Sequence, residues 1–461
     1  MFTVLFPQGC TKGRSYVIDF IFKEIFGLDC TGQPADIDSV IIRHGEKTLE
    51  LPDTFFSRAR ERWLHPSTLP EVPHRTWDIS GLKLDAVVTD SRIPILYGHG
   101  GYELHGNHCR LDFDIFGSVF FILSGYEELV KTERDEHGRF PGSASLAYQE
   151  GFLNRPIINE YIELLLAFLK MLWPQVQGKK RSFRKLISCD VDFPYGQSGK
   201  SLTRLFRQFY GDIFNRADAG LAVSNLKSFM RVRSRGDYTL DPHFTFDWMM
   251  DIAERSQVKI AFYFICPDSR LPEDGYYSLV TDSVLRGLMR RIHERGHEIG
   301  LHGSYGSYRD SHKLSREVST LKTVMKEEGI DQPCLGGRQH FLRWDTAATP
   351  RVLSEAGLTY DSTLTFPEEP GFRRGVCYEY PLFDLMSRCV LPVRERPLVA
   401  MENAFFNNAK RGKKSVNMMR RKLFELLETC KLFSGDFTLL WHNNQFYTSD
   451  LRRLYADVLS A

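Results

Sequence analysis

The chain is 461 residues long, with 42% hydrophobic and 13% aromatic residues, enough for a large core and, by length, two or three domains. Lys and Arg number 60 against 58 Asp and Glu, a formal charge of +2, which argues against bulk electrostatic capture of nucleic acid. The nine cysteines are widely spaced and form no CxxC pair, so they read as reduced thiols of a cytoplasmic protein and not as a disulfide framework.

The opening residues, Met1 to Gly9, lack a basic segment followed by a long apolar run and a small-residue cleavage site, so no secretion signal is expected. Ala86-Val87-Val88 and Ile93 to Tyr97 read as short strands, and Asp114 to Leu129 as one buried helix, apolar on several sides. The longest apolar stretch, Tyr161 to Trp173, carries Glu163 and Lys170 and falls short of the roughly 18 apolar residues of a spanning helix. It is expected to be a buried helix, and no transmembrane segment is expected. The basic, polar break Gly178 to Ser182 divides the chain into a smaller α/β domain, residues 1–180, and a second domain, residues 181–461.

From Phe183 onward apolar strands alternate with helices. A strand leads into Cys189-Asp190-Val191-Asp192; Ile260 to Ile265 is a strand, Asp282 to Arg295 a helix stopped at Gly296, and His297 to Leu301 a strand. Leu314 to Glu328 is a helix, Leu335 to Gly337 leads into a loop, Pro350 to Ala356 is a helix stopped by Gly357, and the helix Asn417 to Cys430 precedes the strand Phe437 to Trp441. This is the pattern of a parallel α/β barrel, whose sites gather at one rim. A basic, irregular insertion is expected between Gly196 and about Asp241.

Alternate residues of an extended chain share a face, so Asp190 and Asp192 point the same way as the chain leaves its strand for the turn at Pro194. Hydrolysis of an amide or ester by a metal needs a ligand set and a base. Asp192 can serve the first and Asp190 the second, and a solvated turn or cap is the plain alternative. His302 leaves its strand at the same kind of exit and offers an imidazole ligand, where a structural histidine is the plain alternative. His297, facing the other way, reads as a core or helix-end histidine. Arg338 follows Gly336 and Gly337, which let the backbone turn tightly and bring its fork of donors toward a carboxylate such as Asp190; a surface salt bridge is the plain alternative. His442, at the end of an apolar strand, suits a general acid protonating a leaving amine.

In their order these residues resemble the polysaccharide deacetylase family, carbohydrate esterase family four with its NodB homology domain, over roughly residues 183 to 446. The resemblance implies an α/β fold, a distorted (β/α)7-type deacetylase barrel preceded by the smaller domain. It implies Asp190 as catalytic base, Asp192 and His302 as metal ligands, Arg338 as the residue orienting the base, and His442 in Leu440-Trp441-His442 as general acid. Asp361, in Gly357-Leu-Thr-Tyr-Asp361-Ser, takes the place of the acid that buttresses the arginine. The family usually has a further histidine, serine or asparagine four positions after His302, where this chain has Gly306. Ser304, Ser307 or His340 is left to complete the set. The implied cofactor is a divalent metal, zinc first. The implied activity is removal of an N-acyl (acetyl) group from an amino sugar, free or in a glycan, in bacterial polysaccharide or glycolipid biosynthesis. The N-terminal half resembles an uncharacterised α/β domain that precedes such deacetylases in some bacterial surface-polysaccharide proteins, at Asp114 to Ser124 and Gly138 to Tyr148.

Other motifs are weaker. Tyr195 to Ser201 resembles a P-loop, but Pro194 stands where its first glycine belongs, and a polar loop is expected. His99, His105 and His108 lack the paired spacing of a zinc module and read as a surface loop. Lys410 to Lys414 with Arg420 to Lys422 could hold a sugar phosphate, though a solvated face is the plainer reading. Two alternatives to the hydrolase stay open: an inactive, glycan-binding scaffold, suggested by Gly306, and a metal- and nucleotide-sugar-binding glycosyltransferase, which leaves Arg338 and His442 unexplained.

Overall fold

A computed structural model gives the fold and describes residues 1–196, 210, 219–238, 240–267, 271–405 and 413–461. Parts of the Gly196–Asp241 insertion, the Gly199-Lys200-Ser201 end of the P-loop-like run and the Lys410-Arg411-Gly412 part of the basic cluster lie outside these residues. Within the insertion, Ala219–Arg235 is a helix, so that stretch is not irregular.

The N-terminal half is built on a six-stranded mixed sheet. Its strands are β1 (Phe2–Pro7), β2 (Cys30–Ala35), β3 (Ser39–His44), β4 (Lys47–Pro52), β7 (Gly98–His105) and β8 (His108–Phe113), in the order β2-β1-β3-β4-β8-β7. A separate ribbon pairs β5 (Arg75–Asp78) with β6 (Arg92–Ile95). The expected strand at Ala86-Val87-Val88 is absent; this short run packs its valines partly buried against the core without a pairing partner. The expected single helix from Asp114 to Leu129 is two. Asp114 caps the helix Ile115–Leu123 by accepting from Gly117 N at 2.7 Å; the chain then turns at Gly125 (φ 69°) and resumes at Glu127–Val130. The turn needs glycine because the Arg374 guanidinium packs where a Cβ would stand. The expected buried helix is Ile157–Leu172, and among the described residues no helix is long and apolar enough to cross a membrane.

The second half is a nine-stranded sheet. It comprises β9 (Arg184–Val191), β10 (Ile260–Ile265), β11 (Glu298–Gly303), β12 (Gly336–Gln339), β13 (Tyr360–Asp361), β14 (Tyr380–Asp384), β15 (Cys389–Glu395), β16 (Ala400–Met401) and β17 (Asp436–Leu440). The order is β14-β15-β13-β12-β11-β10-β9-β17-β16, with every neighbouring pair parallel except β14 with β15. The barrel is therefore an open, curled half-barrel, with β14 and β16 as its edges. Every residue of β10 is buried, as a strand covered on both faces requires. The helix Ser283–Glu294 lays Leu285, Leu288, Met289 and Ile292 on the sheet, is capped by Asp282, and ends before Gly296 (φ 77°). Because the strands run parallel, the C-terminal ends of β9, β11, β12 and β17 meet at one rim.

The N-terminal half closes one open edge. Tyr16 Oη donates to the Pro381 carbonyl at 2.8 Å, and Trp63 Nε1 to the Leu385 carbonyl at 3.2 Å, so side chains occupy acceptors along and just beyond edge strand β14. Below them a buried charge cluster crosses the junction. Glu128 accepts from Arg373 Nε at 2.9 Å, Arg374 Nη2 at 3.1 Å and Thr346 Oγ1 at 2.7 Å. Burial opposes ionisation of Glu128, but the two guanidiniums outweigh it and bring its pKa down to about 2. Removing one partner of such a cluster strands the other charges, so Glu128→Ala is expected to lower unfolding free energy by about 3 to 5 kcal/mol in urea titrations. A loss under about 1 kcal/mol would show that the junction does not depend on the cluster.

Candidate metal centre

β9 carries Ser188 and Asp190 and releases Asp192 one residue past its end, and the flanking parallel strands bring their own ends alongside. Ser188 pairs with Leu440 of β17, Asp190 with Tyr263 of β10, and His302 of β11 lies opposite both Ile265 and Arg338. Two glycines make this packing possible. A Cβ on Gly300 would stand 2.6 Å from Tyr263 Cε1 and 2.7 Å from the Gly336 carbonyl, and one on Gly336 would overlap the ring of Tyr360. Gly336 and Gly337 therefore do not make the tight turn expected of them; they lie within β12, and Gly336 makes room for an aromatic ring inside the half-barrel.

Three imidazoles converge on Asp192, each held at Nδ1 and directing Nε2 inward. His302 Nδ1 lies 2.8 Å from the Arg338 carbonyl and its Nε2 3.2 Å from Asp192 Oδ1. His340 Nδ1 lies 3.3 Å from Asp274 Oδ1 and its Nε2 3.7 Å from Asp192 Oδ1. His442 Nδ1 lies 2.5 Å from Glu402 Oε1 and its Nε2 3.5 Å from Asp192 Oδ2. Anchoring at Nδ1 fixes the ring and directs the other nitrogen, as in histidines that bind metal.

Asp192 Oδ1 is buried without an aligned hydrogen-bond donor. Burial would raise the Asp192 pKa, but His340, His302 and His442 hold it well below the usual carboxylate range. Burial opposes charge on His302 and His442 as well; Asp190 and Asp192 nevertheless raise His302, and Glu402, then Asp192 and Asp190, carry His442 up to about 10. A site that stabilises protons on its imidazoles around a carboxylate also suits a cation, for which those protons compete. Asp192, His302 and His340 offer ligand atoms all within 4.8 Å of one another. Donors bound to zinc at ~2.0–2.2 Å stand roughly 3.3 Å apart. The separations of 3.2 and 3.7 Å from Asp192 Oδ1 are close to that value, and the two imidazole nitrogens, within 4.8 Å of each other, would draw in around an ion.

Of the three side chains considered for completing the set, His340 is the one inside the cluster. Ser304 gives both its Oγ and its N–H to Glu317, the latter at 3.0 Å, and Ser307 Oγ donates to the Ser304 carbonyl at 2.9 Å, so both hydroxyls are engaged elsewhere. Burial pushes Glu317 up to about 7, which suits its place as the anchor of this loop. Near Gly306 stands Lys313, whose Nζ would lie 3.1 Å from a Cβ there.

Arg338, fully buried, donates from Nη1 to Asp190 Oδ1 at 2.7 Å and to Ser188 Oγ at 2.9 Å. Its Nε donates to the Ser362 carbonyl at 2.7 Å, its Nη2 to Ser362 Oγ at 3.0 Å, and it lies over Tyr263 at 4.9 Å. Asp190 Oδ2 is left facing the cluster, 3.6 Å from His302 Nε2. Asp361, expected to buttress the arginine, acts on it through its charge and not through a hydrogen bond. It turns to Thr363 N at 2.8 Å and Thr363 Oγ1 at 2.9 Å, while Ser362 holds the guanidinium. Burial raises the Asp361 pKa, and burial with the nearby Asp361 raises Glu395 well above its usual range.

Three residues absent from the sequence reading belong to the site. Glu402 follows strand β16 at an exit of the same kind as Asp192, a pattern that could have disclosed it. Asp274, in Pro272-Glu273-Asp274-Gly275, looks like a solvated turn, and Ser362 carries no signal of its own. The described histidines and Arg420 of the weaker motifs have partners of their own. His297 Nδ1 accepts from Ile260 N at 3.1 Å, His108 Nδ1 lies 2.7 Å from Thr48 Oγ1, and His99 lies 3.3 Å from Asp112. Arg420 pairs with Asp457 at 2.7 Å.

Residues 2–174 match a family described only as one of unknown function (DUF7033). No curated protein matches the chain. Among solved structures, a protein assigned as a polysaccharide deacetylase from Mycobacterium smegmatis is 16% identical, over 61% of this chain and 85% of that one, with a TM-score of 0.35. PuuE allantoinase is 10% identical over 60% and 83%, with a TM-score of 0.34. The Xyl-CE4 domain of a multidomain xylanase from the hindgut metagenome of Trinervitermes trinervoides is 11% identical over 61% and 82%, with a TM-score of 0.27. Likenesses this distant carry no argument about chemistry.

Titration with zinc, read by elemental mass spectrometry after desalting, is expected to give one ion per chain. His340→Ala should lose it, Asp274→Asn should weaken it by about 10- to 100-fold, and Ser304→Ala should keep it. Retention by His340→Ala with loss by Ser304→Ala would contradict the ligand set.

Proposed function

We propose that the chain is a metal-dependent hydrolase that removes an N-acyl group, acetyl first, from an amino sugar or a glycan that carries it, in bacterial polysaccharide or glycolipid synthesis. The chemistry is assigned to the half-barrel from about residue 181. The observation that carries the reading is Asp190: a buried carboxylate with one oxygen fixed by Arg338 and the other free beside Asp192, His302 and His340.

Asp192, His302 and His340 would hold the cation. A divalent ion bound there supplies Lewis acidity and makes water easier to deprotonate. Asp190 Oδ2 takes the proton of the attacking water, while Arg338 keeps Oδ1 and the carboxylate plane in place. Ser362 and Ser188 keep the arginine from moving toward the cluster. The arginine therefore acts as a positioning group whose charge is already spent on Asp190. His442 Nε2 faces Asp192 Oδ2 at 3.5 Å, and Glu402 at its other nitrogen raises its pKa, so the ring is suited to carry a proton. As the carbon–nitrogen bond breaks, that proton passes to the departing amine nitrogen, and Glu402 steadies the ring through Nδ1. Because His340 offers a third donor, Gly306 no longer favours a metal-free scaffold. A glycosyltransferase would have no use for Asp190 being held by Arg338.

Acetate release from N-acetylglucosamine oligomers, measured by a coupled assay on zinc-loaded protein, is expected to fall by about 10²- to 10⁴-fold in Asp190→Asn, with metal content unchanged. No release from any acylated amino sugar by metal-loaded wild type, or an Asp190→Asn variant as fast as wild type, would sink the reading.

A further inference from the structure

Residues 131–141 of the N-terminal half form a loop that reaches across to the rim of the half-barrel. Asp135 ties it into one shape, accepting from His137 N at 2.9 Å, Arg139 N at 2.8 Å and Arg139 Nε at 2.7 Å. The loop then locks onto the segments that follow β11 and β12. Arg343 donates from Nε to the His137 carbonyl at 2.8 Å and from Nη1 to the Tyr305 carbonyl at 2.6 Å, and Arg139 Nη1 donates to the Phe341 carbonyl at 2.7 Å.

The segment gripped in this way is strained. Phe341 and Leu342 have φ of 59° and 55°, the left-handed region that bulky L residues rarely adopt. A packing role would bury the Phe341 ring, yet it is 36% exposed. It stands 4.8 Å from the ring of His340, 4.8 Å from that of His137 and 5.3 Å from that of Tyr305. His137 Nδ1 meets Tyr305 Oη at 3.1 Å, and the His137 side chain is 23% exposed. Strain kept at an exposed ring beside a candidate ligand, and held there by another part of the chain, points to a binding surface.

We propose that the N-terminal half supplies one wall of the substrate cleft, His137 forming with Tyr305 and Phe341 an aromatic subsite for the sugar ring next to the one whose amide is cut. The occupant follows from the chemistry of the surface. A pyranose has apolar C–H faces and a hydroxyl edge; the neighbouring rings of Phe341 and His137 suit the former, and the Tyr305 hydroxyl suits the latter. The identity of that occupant rests on the amide-hydrolase reading. The wall explains why the half-barrel carries a second domain locked to it, and it makes His137 a residue that selects for chains over single sugars.

The test uses the full-length, zinc-loaded protein in an Asp190→Asn background, with chitopentaose as probe and isothermal titration calorimetry as readout. His137→Ala is expected to weaken binding by about tenfold, the loss of one aromatic contact, while His137→Phe stays within about twofold of the parent. Metal content and melting temperature should match the parent in both. Wild-type acetate release, measured in parallel, should show His137→Ala raising KM for the pentamer with kcat little changed, and with no rise for the monosaccharide. His137→Ala binding as tightly as the parent, or a metal-loaded parent that does not bind the pentamer, would overturn the wall. Acetate release with unaltered His137→Ala kinetics would overturn the wall and leave the hydrolase intact. Binding that depends on His137 without any acetate release would uphold the wall and remove the hydrolase.

Discussion

Asp192 buries one carboxylate oxygen, Oδ1, without an aligned donor, His302 and His340 are aimed at that oxygen and His442 at the other, and the rim of the half-barrel is arranged around that imbalance. An unpaired buried carboxylate is among the costliest groups a fold can hold, unless a positive charge accompanies it. Here the charge can be protons on imidazole or a metal ion. Fixing His302 and His340 through Nδ1 suits an ion, since a ring that cannot swing away keeps its Nε2 lone pair on the site when its proton leaves. Asp274, Glu402 and the Arg338 carbonyl are thus as much a part of the centre as the groups that face it.

Arg338 solves the neighbouring problem. Asp190 needs to be charged and motionless less than 4 Å from a second carboxylate's partner, His302. A guanidinium whose donors are divided among Asp190, Ser188 and Ser362 gives it a fixed counter-charge and leaves one oxygen free. The rest of the interior follows from accommodating this arginine. Tyr263 packs against it, Tyr360 stacks beneath Arg396 at 3.4 Å, and glycines at 300 and 336 leave room for the two rings.

What the sequence made legible was periodic or positional. The helix Ser283–Glu294 announces itself through its apolar spacing, its Asp282 cap and its Gly296 stop. The exits at Asp192, His302 and His442 are readable because an apolar strand ending in a ligand-type residue is a local pattern. What stayed hidden depends on contacts across the chain. The break at Gly125 exists because Arg374, 249 positions later, fills the space. His340 could be told from Ser304 and Ser307 only by seeing Glu317 engage the serine loop. Asp361 supports the arginine by charge, whereas the hydrogen bonds to the guanidinium come from its neighbour Ser362, which carries no signal of its own. The glycines before Arg338 were assigned to a turn, although they serve close packing inside a strand.

The two halves are one working unit in this account. The buried Glu128 cluster fixes the N-terminal half along the β14 edge, and that placement lets the loop 131–141 reach the rim. The most direct test of the central claim is a crystal structure of the zinc-soaked protein with data collected above and below the zinc absorption edge. The three-ligand centre predicts a single anomalous peak ~2.0–2.2 Å from Asp192, His302 Nε2 and His340 Nε2. An empty rim in crystals that hold zinc elsewhere, or a peak that recruits Ser304 in place of His340, would contradict it.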